Sequence, residues 1–173
     1  MSESYEETSQ LEMQAILDRQ RTAYLAEGVV SSQTRIDRLE RAVQVVKKHQ
    51  KSFVQAMNED FGHRSEHQSL FTDIASSIGP LRHAQQNLKR WKKKDKRKVT
   101  PGVLALLGAR AWIEYQPLGV VGVISPWNFP VTLTFTPLAG VLSARNRCLI
   151  KPSEYPPPTP APMYGGLPGE CDE

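Results

Sequence analysis

The stretch PLGVVGVISPWNFP, residues 117–130, sets a run of β-branched residues directly against a stiff turn that carries one carboxamide, Asn128. Val120, Val121, Val123 and Ile124 are nearly continuous, a pattern that suits a strand buried on both faces. Gly119 and Gly122 let other backbone approach closely. Pro126 and Pro130 end the strand and stiffen the turn after it. Residues 129–142 are apolar and long enough for a buried helix, and residues 149–151 read as a second short strand stopped by Pro152. Strand, helix, strand is the order of a βαβ unit in a parallel sheet, so the predicted fold class is α/β. Ligands of such sheets bind beyond the carboxyl ends of the strands, where residues 125–128 and 151–154 both emerge.

The motif PWNFP, with IKPSE about one helix later, resembles the aldehyde dehydrogenase superfamily. Residues 58–84, NEDFGHRSEHQSLFTDIASSIGPLRHA, together with GARAWIEYQPLGVVG, look like the coniferyl aldehyde dehydrogenases within it. The resemblance covers roughly residues 11–155. It implies N-terminal helices, an oligomerisation hairpin and the first βαβ of a Rossmann-like NAD-binding domain. The implied division is 1–99 for the helical segment of the cofactor domain, 100–117 for the hairpin, 118–155 for the start of the Rossmann-like part and 156–173 for a tail. It further implies that Asn128 donates its amide to the oxyanion formed when a cysteine thiolate attacks an aldehyde carbon. Ile124, Ser125, Pro126 and Trp127 would line the cofactor cleft. Lys151 and Glu154 would contact the adenosine ribose, with Ser153 in the same cofactor-binding set. The implied cofactor is NAD, with NADP as the alternative, and the implied partners are an aldehyde substrate and further subunits in a homodimer or higher oligomer.

Those roles suit the residue types. A carboxamide has two N–H donors and no charge, so it can meet a developing alkoxide without desolvating a cation. A carboxylate near a ribose accepts from the 2′-hydroxyl and repels a 2′-phosphate, which favours NAD. The bland reading is that Asn128 bonds its own backbone in a turn, and that Lys151 and Glu154 are a solvated surface pair. The family's nucleophilic cysteine, general-base glutamate and pyrophosphate-binding turn match nothing here. Cys148 sits in the second strand, where a cysteine is packing, and Cys171 lies in a polar tail. The expectation is a chain that is inactive alone, or one that binds only cofactor or a partner subunit.

Two departures from the family pattern stand out. Pro156, Pro157, Pro158, Pro160 and Pro162 fall where the next crossover helix would begin. Each interior proline costs a helix about 3 kcal/mol, so an extended or disordered tail is expected. The abrupt change after Glu154 suggests a fragment with a non-native ending from a shifted reading frame; resequencing the coding DNA tests this, and an in-frame stop with no family-like coding beyond it defeats it. Arg145 stands where glycine is usual before Asn146; if position 145 needs positive φ, it carries strain of order 1 kcal/mol.

The remainder reads as scaffold. A chain of 173 residues with 39% hydrophobic content is long enough for one core. There is no run of 18 apolar residues and no basic-then-apolar leader, so neither a membrane nor a signal peptide is predicted, and two distant cysteines make no disulfide framework. The default compartment is the cytoplasm. Helices are expected over residues 10–26, over 34–60 with Thr34 or Ser32 as cap and Gly62 as stop, and over 65–93 with a kink at Gly79 and Pro80. Strands are expected over 103–107 and 111–116, joined through Gly108.

Two rival functions come from short patterns. KRWKKKDKRK, residues 89–98, carries a net +7, which leaves −3 for the rest of a chain at +4. With Trp91 it could bind nucleic acid, but no recognised nucleic-acid motif accompanies it, so a solvated helix end is the simpler reading and no nucleic-acid partner is expected. His63, Arg64, Ser65, Glu66 and His67 match the H-x-x-E-H pattern of inverted zinc peptidases. The match begins beside Gly62 at a helix boundary and lacks a third ligand, so no metal is expected.

Overall fold

Three helical stretches make up the first half, each opened by a serine cap. The computed structural model describes residues 8–153. Helix α1, Gln10–Glu27, opens with a capping box in which Glu12 donates its N–H to the Ser9 hydroxyl (3.2 Å) while its carboxylate accepts from the Ser9 N–H (2.9 Å). None of its side chains is buried. Helix α2, Ser32–Phe61, is capped by Ser31, one residue earlier than expected, and stops at Gly62 with φ 74°. Of its apolar residues at helical spacing, Leu39, Val43, Val46, Phe53 and Met57 are fully buried and Ile36 is half-buried. Burying such side chains stabilises by roughly 1.5–3 kcal/mol each.

The third helical stretch departs from expectation in its interior. Helix α3, Glu66–Ser69, runs into a π-helical segment, Leu70–Ala75, and then into α4, Ser76–Trp91. The α-helix continues through Gly79 and Pro80, and a wider π turn precedes it. Helices α2 and α4 are tied by Arg82 to Glu40, whose carboxyl is held down at about 2 by hydrogen bonds from Gln85 and Gln44 and by that guanidinium.

The basic run divides between two elements. Lys89 and Arg90 end α4, and the run continues into strand β1, Asp95–Arg97. β1 pairs antiparallel with β2, Ala111–Ile113. The strand expected over residues 103–107 is instead helix α5, Gly102–Leu106. A hairpin is present, but its first strand comes from the lysine-rich segment. Without a cross-strand partner the VLAL run closes its own hydrogen bonds, as in Leu107 N–H to Val103 C=O (3.2 Å).

The βαβ unit is present as read: β3, Val120–Ile124, then α6, Thr132–Ser143, then β4, Arg147–Lys151, with β3 and β4 parallel and Ile124 opposite Lys151. Burial of β3 on both faces is not observed. Val123 enters the core formed with α2, α4 and α6, whereas Ile124 is 78% exposed. Among the described residues β3 has one neighbour strand, and alternation puts Ile124 on the open face. No helix among them is long and apolar enough to cross a membrane.

The corner after α6 settles the question of Arg145. Its φ is 68°, the one positive value at a non-glycine among the described residues. Arg145 N–H donates to Leu142 C=O (3.1 Å) and Asn146 N–H to Val141 C=O (2.9 Å), the pair of bonds of a Schellman ending. Asn146 then accepts the Gly119 N–H through its side-chain oxygen (2.9 Å), joining the end of α6 to the start of β3. The Arg145 guanidinium lies 4.8 Å from the Tyr24 ring centre, a contact worth about 0.5–1 kcal/mol, which offsets part of a left-handed cost of roughly 1–2 kcal/mol. Arg145→Gly is therefore expected to change stability by less than about 1 kcal/mol in the parent chain, because glycine also loosens the unfolded state. In a Tyr24→Leu background the same change is expected to stabilise, and urea melts of the four chains measure the difference.

Candidate active-site turn

Residues 125–131 leave the sheet and carry the chain into α6. Ser125 extends the ladder, its N–H donating to Lys151 C=O (2.9 Å), so the turn starts where β4 ends. Asn128 comes three residues later, outside any helix, with its side chain exposed. Turn and Lys151 thus emerge at the same edge. Among the described residues Ile124, Pro126, Trp127 and Lys151 are exposed and Ser153 is half-buried; Trp127 is 55% exposed and its ring lies 6.3 Å from that of Phe61. Ser125 differs: it is buried and its hydroxyl meets that of Thr134 (2.6 Å), while Thr134 also donates to Pro130 C=O (2.7 Å). Glu154, Cys171 and the proline-rich tail lie outside the described residues.

Two residues that sequence reading passed over hold the turn. Arg64, whose side chain is 5% exposed, donates to Asn128 C=O (3.1 Å) and to the Thr72 hydroxyl (2.9 Å), and pairs with Asp73, which is 0% exposed. Its guanidinium sits 4.9 Å from the Phe61 ring centre and 5.1 Å from that of Phe129. The other oxygen of Asp73 accepts the N–H groups of Val131 and Thr132 (3.2 Å each). Helix α6 has no cap from its own leading residue, so a carboxylate from the π segment serves as its cap and meets its positive dipole end. Burial pushes the Asp73 carboxyl above its ordinary value; the Thr132 N–H, the Arg64 charge and the Val131 N–H pull it back. Little signal was present: helical spacing sets Asp73 in a row with Ser69 and Ser77, which reads as a polar face.

The zinc pattern does not survive as a ligand set. Ser65 caps α3, accepting the Gln68 N–H (3.2 Å), so His63 lies before the helix and His67 inside it, off a shared i,i+4 face. No group of three or more metal-ligating side chains gathers among the described residues. Trp91 lies 5.5 Å from the His83 ring, and Lys94 sits 4.3 Å from the Trp112 ring centre and pairs with Glu114 (3.4 Å). Cys148 is a free thiol in β4 opposite Val121, and burial raises it to about 11. A cavity of about 560 Å³ between α2 and the start of the π segment shares no residue with the turn.

The side chains at the strand edge are of types that could hold a dinucleotide. They offer an ammonium and a hydroxyl for sugar hydroxyls, at Lys151 and Ser153, beside the apolar surfaces of Ile124 and Trp127 for a base. The aldehyde dehydrogenase family model matches residues 3–164. A probable coniferyl aldehyde dehydrogenase of Caulobacter vibrioides is 52% identical over 85% of this chain and 30% of its own length. A coniferyl aldehyde dehydrogenase of a Pseudomonas strain is 42% identical over 84% of the chain and 29% of its own. The solved structure of Staphylococcus aureus AldH superposes with a TM-score of 0.79 at 23% identity, over 87% of this chain and 32% of that one, a likeness of fold. The chain, which spans about 30% of the length of the curated relatives it matches, belongs to the aldehyde dehydrogenase family.

Proposed function

We propose that this chain supplies the oxyanion donor and part of the nicotinamide-cofactor cleft for oxidation of an aldehyde, coniferyl or another aromatic one, to its carboxylic acid in the cytoplasm. The observation that carries the reading is the exposed Asn128 carboxamide on a braced turn just past the paired ends of β3 and β4. When a nucleophile adds to the aldehyde carbon, the carbonyl oxygen takes up negative charge, and an amide fixed beforehand stabilises it without reorganising at that moment. Ile124, Pro126 and Trp127 would line the cleft with side chains and Ser125 with backbone. Lys151, Ser153 and Glu154 would bind the sugar hydroxyls, Glu154 favouring NAD over NADP. The dinucleotide supplies the acceptor for the hydride.

The 173-residue chain does not turn over by itself in this reading. Cys148 is protonated at neutral pH and packed in a strand, so it offers no thiolate at the turn. The test is a thermal melt with and without NAD. At a hundred times Kd, NAD is expected to stabilise by about 2.7 kcal/mol, NADP by less, and Lys151→Ala to remove most of the gain. An unchanged melting temperature at millimolar NAD sinks the cofactor part.

A second role has its own support. Leu104 and Leu106 on α5, Leu107 just after it, and Trp112 and Ile113 on β2 are all exposed. So many exposed apolar side chains within residues 104–113 suit a partner subunit in a homodimer or higher oligomer. Sedimentation equilibrium is expected to report self-association that Trp112→Glu weakens at least tenfold; a monomer at high micromolar concentration overturns it.

A further inference from the structure

The turn that carries Asn128 is braced from outside the βαβ unit. The sheet ladder ends at Ser125. Pro126 and Pro130 fix their own φ and push the residues before them toward extended backbone, but they leave Trp127 and Asn128 with free rotations. Within the unit the Leu133 N–H donates to Phe129 C=O (3.0 Å) and the Thr134 hydroxyl to Pro130 C=O; residue 128 itself is held from elsewhere, by Arg64 on its carbonyl, with Asp73 on the N–H groups of Val131 and Thr132.

We propose that Arg64 and Asp73 are the positioning pair of the oxyanion-donor turn, so that the direction of the Asn128 amide is set by the helical stretch running from α3 through the π segment into α4. The inference rests on the reading of Asn128 as that donor. Side chain and carbonyl of Asn128 share one Cα, so holding the carbonyl fixes the backbone about it and leaves only the two side-chain torsions. The guanidinium is itself held, between the rings of Phe61 and Phe129 and by the Thr72 hydroxyl. A planar fork with several donors can serve Asn128, Thr72 and Asp73 together; an ammonium cannot stack and present the same geometry.

The π turn gives this brace its aim. Buried Ser69, Asp73, Ser77 and Leu81 recur every four residues. In a helix of 3.6 residues per turn such a row drifts by roughly 40° per step. The wider turn over Leu70–Ala75 offsets that drift and keeps Asp73 in line with the buried face that meets α6. Thr72 anchors the same turn, its hydroxyl donating to Gln68 C=O (2.8 Å).

The experiment uses the isotopically labelled 173-residue chain, read by NMR and amide exchange. In Arg64→Lys the Asn128 side-chain amide and the backbone amides of Trp127, Asn128 and Phe129 are expected to move toward unstructured values. In Asp73→Asn, exchange at Val131 and Thr132 is expected to rise at least tenfold. In both, protection in the turn and at Val131 and Thr132 is expected to fall at least tenfold further than at Leu39, Val43, Val46 and Leu81, whose loss follows the fall in global stability. Unmoved turn resonances in folded Arg64→Lys overturn the proposal, as does protection lost evenly through α2 and α4, which marks a stability element. If Asp73→Asn does not fold, Arg64→Lys decides alone; if neither folds, the proposal is overturned. Asn128→Ala is expected to leave exchange at Val131 and Thr132 as in the parent. The brace is thus judged by these resonances, and the oxyanion reading by catalysis.

Discussion

Asn128→Ala is expected to lower kcat by about 10²–10³-fold, or roughly 2.7–4 kcal/mol, in a chimera that joins residues 1–153 to the remainder of the C. vibrioides relative. The chimera is the right setting because that relative is 52% identical across this region, so the joined halves keep their packing. The parent chimera is expected to oxidise coniferyl aldehyde with NAD, and the 173-residue chain is expected to give no such rate. An oxyanion donor acts where charge develops, so kcat and kcat/KM are expected to fall together with KM little changed. Asn128→Asp is expected to be at least as damaging, since a carboxylate repels the alkoxide at the same point. Asn128 is exposed, so neither change is expected to move the melting midpoint by more than about 0.5 kcal/mol. A chimera carrying Asn128→Ala that keeps its rate within tenfold removes Asn128 from the chemistry. A parent chimera without activity removes this segment's claim to support the reaction.

The fold was legible where one period ran unbroken. The Leu39, Val43, Val46, Phe53, Met57 stripe and the strand–helix–strand order of residues 120–151 each state one structure, and both are present. It was illegible where local preference and tertiary pairing disagreed. VLAL suits a strand in composition, yet the strand opposite β2 is the charged Asp95–Arg97, which exposed edges tolerate well. The π turn leaves no mark in composition because LFTDIA holds neither glycine nor proline, and the partners of its Asp73 lie far along the chain. The same holds for the turn's brace. Arg64 and Asp73 stand nine residues apart and reach residues 128–132, a closure that no short pattern encodes. Arg64 lies inside the H-x-x-E-H pattern of residues 63–67, which its histidines and glutamate define and its arginine does not.

Asp73→Ala is expected to be among the most damaging single changes in the chain, costing about 3–5 kcal/mol. One carboxylate serves the Arg64 guanidinium and the N–H groups of Val131 and Thr132. Removing it strands a cation with almost no exposure and uncaps α6. For a chain of this size each kcal/mol shifts the midpoint by roughly 2–4 °C, so a loss on the order of 10 °C is expected. Asp73→Asn keeps a carbonyl for the α6 N–H groups but still strands the arginine. Arg64→Met costs less than either, since Asp73 then keeps two N–H donors and the helix dipole while the methionine fills space between Phe61 and Phe129. The double change Arg64→Met with Asp73→Asn is therefore expected to be more stable than Asp73→Asn alone, because no buried charge remains and the cap is retained. Denaturant melts of the four chains give that coupling directly. Losses that simply add would mean the two side chains act independently, against a shared brace in which one charge is buried for the sake of the other.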